Sequence, residues 1–214
     1  MKSFFIIGMG ALGKHLCREF DKNNCEMMVA DVDPDTLDEL LPSVVSAKVC
    51  DCTKPDVLKS FGVDEFDACF VCVEKDFQAC LEITDLLKEL GAKKVYSAAN
   101  RDVEEKFLLR IGADRIIYPE RDVAAKVAGL ESARNIVDCI NLSEEYSIYE
   151  IEPLKEWIGK TLIELDFRNR YHINIIALKK EERVIPIFRS DYAFEEGEHL
   201  LVLGHMNDIK RMLK

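Results

Sequence analysis

From residue 3 to about residue 118, short β-branched and apolar runs alternate with amphipathic stretches of about 8 to 15 residues. That alternation predicts βαβ units feeding a parallel sheet. Six strands are expected, at 3–7, 26–30, 46–50, 68–73, 93–98 and 115–118. Helix signals fall between them. Asp33 before Pro34 reads as an N-cap with proline at the first helical position, Asp76 opens a helix that Gly91 ends, and Asn100 caps a helix that Gly112 ends. Six strands with crossovers make a Rossmann-type α/β sheet.

After Tyr118 the segment Glu120–Ser132 reads as a further helix, with Val123, Val127 and Leu130 on one face. That face suits either a subunit interface and hinge or a cover for the chain's own sheet. The pattern then lapses over 134–146, the expected linker. From Ser147 the register changes: a strand SIYEIE, a helix through LKEWIGKTLIEL, a strand NIIALKK, a charged turn at Glu181 and Glu182, strands RVIPIF and HLLVLG, and a short last helix. Strands joined by tight turns and covered by helices predict a small α+β C-terminal lobe. The expected organisation is a Rossmann-type domain over 1–133, a linker over 134–146 and the small lobe over 147–214.

Composition narrows the functional classes. Hydrophobic residues make up 48% and charged residues 32% of the 214, a balance that buries a core. The formal charge of −11 argues against a nucleic-acid partner, which needs a surplus of lysine and arginine. No run approaches the roughly 20 apolar residues that span a bilayer, so a soluble, cytoplasmic chain is expected. The eight cysteines are scattered among apolar segments like small core residues. Cys69 and Cys72 are spaced as CxxC but sit in DACFVCV, a strand pattern in which residues three apart point to opposite faces. The four histidines form no ligand pattern with them, leaving zinc without a set.

The chemistry centres on GMGALG. Gly8, Gly10 and Gly13 follow a strand and open a helix, the context in which such glycines admit a tight turn, a phosphate and close helix packing. Ala11 and Leu12 complete the loop, whose amides face an anion. Asp31 and Asp33 follow at the end of the second strand, where a carboxylate accepts bonds from ribose hydroxyls and repels a 2′-phosphate. Asp51, Cys52 and Thr53 end the third strand at the same edge of the sheet, either as contacts or as a cap for the next helix, and Val73 ends the fourth. The C-terminal lobe offers no acid/base grouping of the kind a dehydrogenase needs.

These segments together resemble a family. GMGALG with VADVD, CDCTKPDVL, IGADRIIYPERDVAAKVA and NLSEEYSIYEIE are similar to the RCK domains of Ktr/Trk-type potassium-transport subunits, over nearly the whole chain. The resemblance implies a regulatory subunit, not an enzyme. It would form homodimers assembled into an octameric ring, lie on the inner face of the cell membrane, and dock on a potassium-translocating subunit. An adenine nucleotide (ADP, ATP, AMP or NAD(H)) would open or close the ring and so gate the pore. On this likeness the glycines match the phosphate loop, Asp31 the ribose acid, and Asp51 and Thr53 the adenine side. Glu120 matches a glutamate that holds Mg2+ or Ca2+ at a dimer interface, or else is a first-turn acid favoured by the helix dipole. Arg168, Ile175, Ile176 and Pro186 match a second site, for cyclic di-AMP.

Two departures bear on the ligand. Ala11 stands where many members carry arginine, and Ser97 where a basic residue is common. Both remove positive charge near a terminal phosphate, which favours ADP, AMP or NAD(H) over ATP. A small NAD-dependent oxidoreductase is the alternative reading. A third, a redox sensor, needs an exposed low-pKa thiol, with Cys17 and Cys52 as candidates.

Overall fold

The computed structural model describes residues 1–131, 135–143, 145–181, 183–186, 189 and 191–213. The chain divides into two compact units, Met1–Arg121 and Asp122–Lys214. In the first, β1 (Ser3–Ile7), α1 (Ala11–Lys22), β2 (Glu26–Asp31), β3 (Ser46–Val49), α2 (Pro55–Lys59), β4 (Ala68–Val71), α3 (Phe77–Glu89), β5 (Val95–Ala98), α4 (Asp102–Arg110) and β6 (Arg115–Ile117) follow in order. The strands form one parallel sheet in the order β3-β2-β1-β4-β5-β6.

The central strands are apolar on both faces because helices cover both. Phe5, Ile7, Cys69 and Val71 pack into one core, and Phe4, Ile6, Phe70 and Cys72 into the other. Cys69 and Cys72 are thus on opposite faces of the sheet, and among the described residues every cysteine is free. The six expected strands are all present, with the fourth ending at Val71 and the fifth starting at Val95. Asp33 does accept the Asp35 N–H ahead of Pro34, but the turn it opens is a short 3-10 helix, Pro34–Thr36, not an α-helix. Asn100 is not the cap of α4. Arg101 holds that position, and Glu104 reaches back to accept the Asn100 N–H at 2.8 Å.

Helix α5 (Pro119–Glu131) runs across the division between units. The second unit continues with β7 (Ile136–Asn141), β8 (Tyr146–Ile151), α6 (Leu162–Leu165), α7 (Phe167–Tyr171), β9 (Asn174–Lys180), β10 (Arg183–Pro186), β11 (Glu198–His205) and α8 (Met206–Met212). Its antiparallel sheet has the order β10-β9-β11-β8-β7. The core includes Tyr149, Ile151, Trp157, Phe167, Phe194 and Val202.

Two expectations for this region are corrected. The segment expected as a linker holds β7, an edge strand whose bulge between Ile136 and Asp138 breaks the apolar alternation. The helix expected through LKEWIGKTLIEL is broken. Lys155–Trp157 make a single 3-10 turn, Gly159 adopts φ +79°, and Thr161 starts α6 with a reciprocal cap to Glu164. Glu181 makes the expected turn at φ +54°, whereas Glu182, Ile187 and Phe188 lie outside the described residues, as do Ser132, Ala133 and Arg134. On α5, Val123 and Val127 are exposed while Leu130 packs against the second core, so the first two do not cover the chain's own sheet.

Candidate functional site

The strand order turns outward from β1 in both directions, to β2 on one side and β4 on the other, and crevices open at such points. Here the cleft has a volume of about 660 Å³ and is lined by Gly8, Gly10, Asp31, Asp33, Asp51, Cys52, Thr53 and Val73, among others. Ala11, Leu12 and Gly13 lie beside it at the start of α1.

The glycine positions have steric causes. Gly8 sits at φ +93°, and a Cβ there would come 2.7 Å from the carbonyl oxygen of Cys72. At Gly13 a Cβ would stand 2.1 Å from the Gly8 carbonyl oxygen, so α1 packs on its own turn as closely as backbone allows. The Asp31 carboxylate accepts the Met9 N–H through Oδ2 and the Asp33 N–H through Oδ1 at 2.9 Å, which fixes it at the mouth of the cleft. Asp51 accepts both the Thr53 N–H at 2.9 Å and the Thr53 hydroxyl at 2.6 Å. Those bonds, with a smaller contribution from Lys54, hold its carboxyl below the usual carboxylate range. Asp51 thus lines the cleft and also closes the turn before α2, whose cap residue is Lys54.

Sequence reasoning missed Glu74. Its Oε1 accepts the Leu12 N–H at 3.1 Å, so a side chain from the loop after β4 caps the first turn of α1. Its carbonyl oxygen accepts the Asn100 side-chain amide at 2.7 Å, and the Tyr118 hydroxyl donates to the Asn100 carbonyl oxygen in turn. The signal was its position, three residues past the strand on the far side of the reversal. Lys75, Asp76, Gln78 and Glu82 line the same wall. Ser97, by contrast, is fully buried and bonds the Thr84 hydroxyl at 2.8 Å, so the position faces the core between β5 and α3 and not the cleft.

The residues fit an adenosine. Asp31 presents a fixed carboxylate at the end of β2, Gly8 and Gly10 admit backbone approach, and Val32 and Val73 add apolar wall. The two candidate cysteines, Cys17 and Cys52, do not fit a redox role. Burial raises the Cys17 thiol to about 11 and pushes Cys52 higher, and both are nearly inaccessible.

The remaining expected residues lie outside the cleft. Glu120 is exposed in the first turn of α5, and among the described residues no group of three or more His, Cys, Asp or Glu could hold a metal ion. Arg168 is exposed on α7, and Ile175 packs against the second core. Ile176 is the extra residue of a bulge against β11, 39% exposed, and Pro186 ends the exposed strand β10. A smaller cavity, lined in part by Lys126, Ile136, Cys139 and Tyr149, involves none of these four.

A parallel sheet with a glycine turn at its reversal, followed by an antiparallel unit, is the two-part architecture of TrkA-N and TrkA-C domains. The TrkA-N domain model matches residues 4–119 and the TrkA-C domain model residues 146–214, and the chain belongs to this family. It is 36% identical over 213 residues to the Ktr system potassium uptake protein C of Bacillus subtilis (strain 168), covering 100% of this chain and 96% of that one. It is also 31% identical to the Ktr system potassium uptake protein A of the same organism, covering 98% and 95%. Among solved structures, the GsuK RCK domain superposes with a TM-score of 0.68 at 16% identity, covering 99% of this chain and 47% of that chain, which shows the shared fold.

Proposed function

We propose that this protein is the regulatory subunit of a Ktr-type potassium-uptake system and that it senses an adenine nucleotide in the cleft at the sheet reversal. The carrying observation is Asp31, held by two backbone amides at the end of β2 beside a turn that only Gly8 can make. The full-length relatives are potassium-uptake proteins, which favours regulation over the oxidoreductase reading. Structures of similar fold have been solved with NAD (a GsuK channel) and with AMP (a Kef C-terminal domain).

Among the described residues no helix is long and apolar enough to cross a membrane, and in this reading, which follows the potassium-uptake relatives, the translocating pore belongs to a partner subunit. The chain docks on that subunit at the inner face of the membrane as dimers in an octameric ring, to which exposed Val123 and Val127 contribute. Glu120 of each protomer adds a divalent-cation contact there, and Arg168, Ile175, Ile176 and Pro186 serve cyclic di-AMP between lobes. A ligand shifts the ring only by its difference in affinity between states, typically about 1–3 kcal/mol per site, so several equivalent sites sharpen the switch.

The test is calorimetric titration of nucleotide-stripped protein with ATP, ADP, AMP, NAD, NADH and cyclic di-AMP, with Asp31→Ala beside the wild type. An adenine ligand that binds the wild type and loses at least about tenfold in affinity with the variant supports the reading. Equal binding by both, or no binding by the wild type, refutes it.

A further inference from the structure

The proposal concerns which adenine ligands the cleft accepts, and it rests on the nucleotide-sensing reading above. In a glycine-turn site the amides at the start of the first helix are the seat of the ligand's phosphates, because they are unpaired within the helix and lie at its positive end. In this protein part of that seat is already taken. Glu74 Oε1 accepts the Leu12 N–H at 3.1 Å, and Oε2 of the same carboxylate lies 3.4 Å from where a Cβ of Gly10 would be. The carboxylate therefore covers both the helix start and the glycine that would admit a phosphate.

Two further observations support this competition. The Glu74 main chain is tied down by the Asn100 side chain, itself held through its own carbonyl oxygen by Tyr118. The rest of the cleft offers an incoming phosphate little positive charge. Among its lining residues Asp31, Asp33, Asp51, Asp76 and Glu82 join Glu74, against Lys75 alone. Two anions cannot share one set of amides, and a phosphate that displaced the Glu74 carboxylate would leave it close by at the same sign.

We infer that Glu74 is a specificity-determining residue: its carboxylate competes with ligand phosphate for the first turn of α1, so the cleft selects adenine ligands of low phosphate charge over di- and triphosphates.

The test is calorimetric titration with adenosine, AMP, ADP and ATP in EDTA buffer, so that no divalent cation neutralises the phosphates. Wild type, Glu74→Gln and Glu74→Ala are compared. Glutamine keeps an acceptor for the Leu12 N–H and removes the charge, whereas alanine removes both. The wild type is expected to weaken along the series as phosphates are added. Both variants are expected to gain about tenfold or more for ADP and ATP, the scale of one charge-assisted hydrogen bond, with adenosine affinity kept within about twofold. Retained adenosine binding also reports that the variants fold.

Wild-type protein that binds ADP as tightly as adenosine, with no gain in either variant, overturns the role of Glu74 and leaves the nucleotide-sensing reading intact. Wild type and variants that bind none of the four, nor NAD or NADH in the titration above, overturn both.

Discussion

Replacing Gly13 with alanine tests the steric logic of the glycine turn directly. The new Cβ would stand 2.1 Å from the carbonyl oxygen of Gly8, well inside the 3.4 Å at which ordinary van der Waals contact begins. The Cβ is fixed by the backbone and its partner is a backbone carbonyl, so no rotamer relieves the overlap, and α1 must back away from β1 by roughly 1.3 Å, the difference between those two distances. Overpacking of this kind costs up to about 3 kcal/mol. Alanine returns about 1 kcal/mol through its better helix propensity. The net loss is about 2 kcal/mol, or about 4–8 °C in Tm for a chain of this size.

The control is Gly129→Ala in α5, where an added Cβ meets nothing within 4 Å. Only the propensity gain remains there, up to about 1 kcal/mol in the opposite direction. Both variants are followed by thermal melting with circular dichroism. Fluorescence of Trp157, the single tryptophan, buried in the second core, reports the second unit. A Gly13→Ala protein that melts with the wild type would refute the close approach of α1 to the Gly8 carbonyl.

Two further outcomes follow from the same structure. Thiol labelling of the native protein should leave Cys17, Cys52, Cys69, Cys72 and Cys80 unreacted, because each is at most 3% exposed and burial raises every one of these thiols. Rapid labelling of Cys17 or Cys52 without unfolding would revive a redox role. Acidification should weaken the second unit through Glu150. Burial alone would raise its carboxyl, but hydrogen bonds from His199 at 2.6 Å and Lys179 at 2.9 Å outweigh it and bring it below its ordinary 4.5. A depressed carboxyl stabilises the folded state above the unfolded value and loses that contribution as pH falls through the folded one. Trp157-detected stability should therefore drop below about pH 4.5, and Glu150→Gln should flatten that drop while costing about 1–3 kcal/mol at neutral pH. An identical acid limb in the variant would contradict the assignment.

The sequence exposed what depends on local rules. Gly8 and Gly13 were readable because a positive φ and a backbone approach leave no other residue. The strands of the first unit were readable because burial on both faces makes continuous apolar runs, as in Ala68–Val71. Features that depend on partners distant in sequence were not. The strand β7 pairs on one side only, and its bulge erases the alternation that would mark it. In LKEWIGK, Trp157 supplied an apolar position that suits a helix, while an isolated bridge from Ile158 to Phe194 holds the chain extended. Ser97 was placed near the phosphates by the resemblance, and only the bond to Thr84 shows that it turns inward. Glu74 meets Leu12 across 62 residues, so no local pattern could announce the contact.

The measurement that tests the central claim most directly is rubidium uptake into vesicles carrying a Ktr-type membrane subunit, with this protein added and the adenine ligand identified by calorimetry varied. The account predicts that the wild-type chain changes uptake in a ligand-dependent manner and that Asp31→Ala removes the dependence. Uptake that responds equally to the ligand with either chain, or not at all to the wild type, would contradict it.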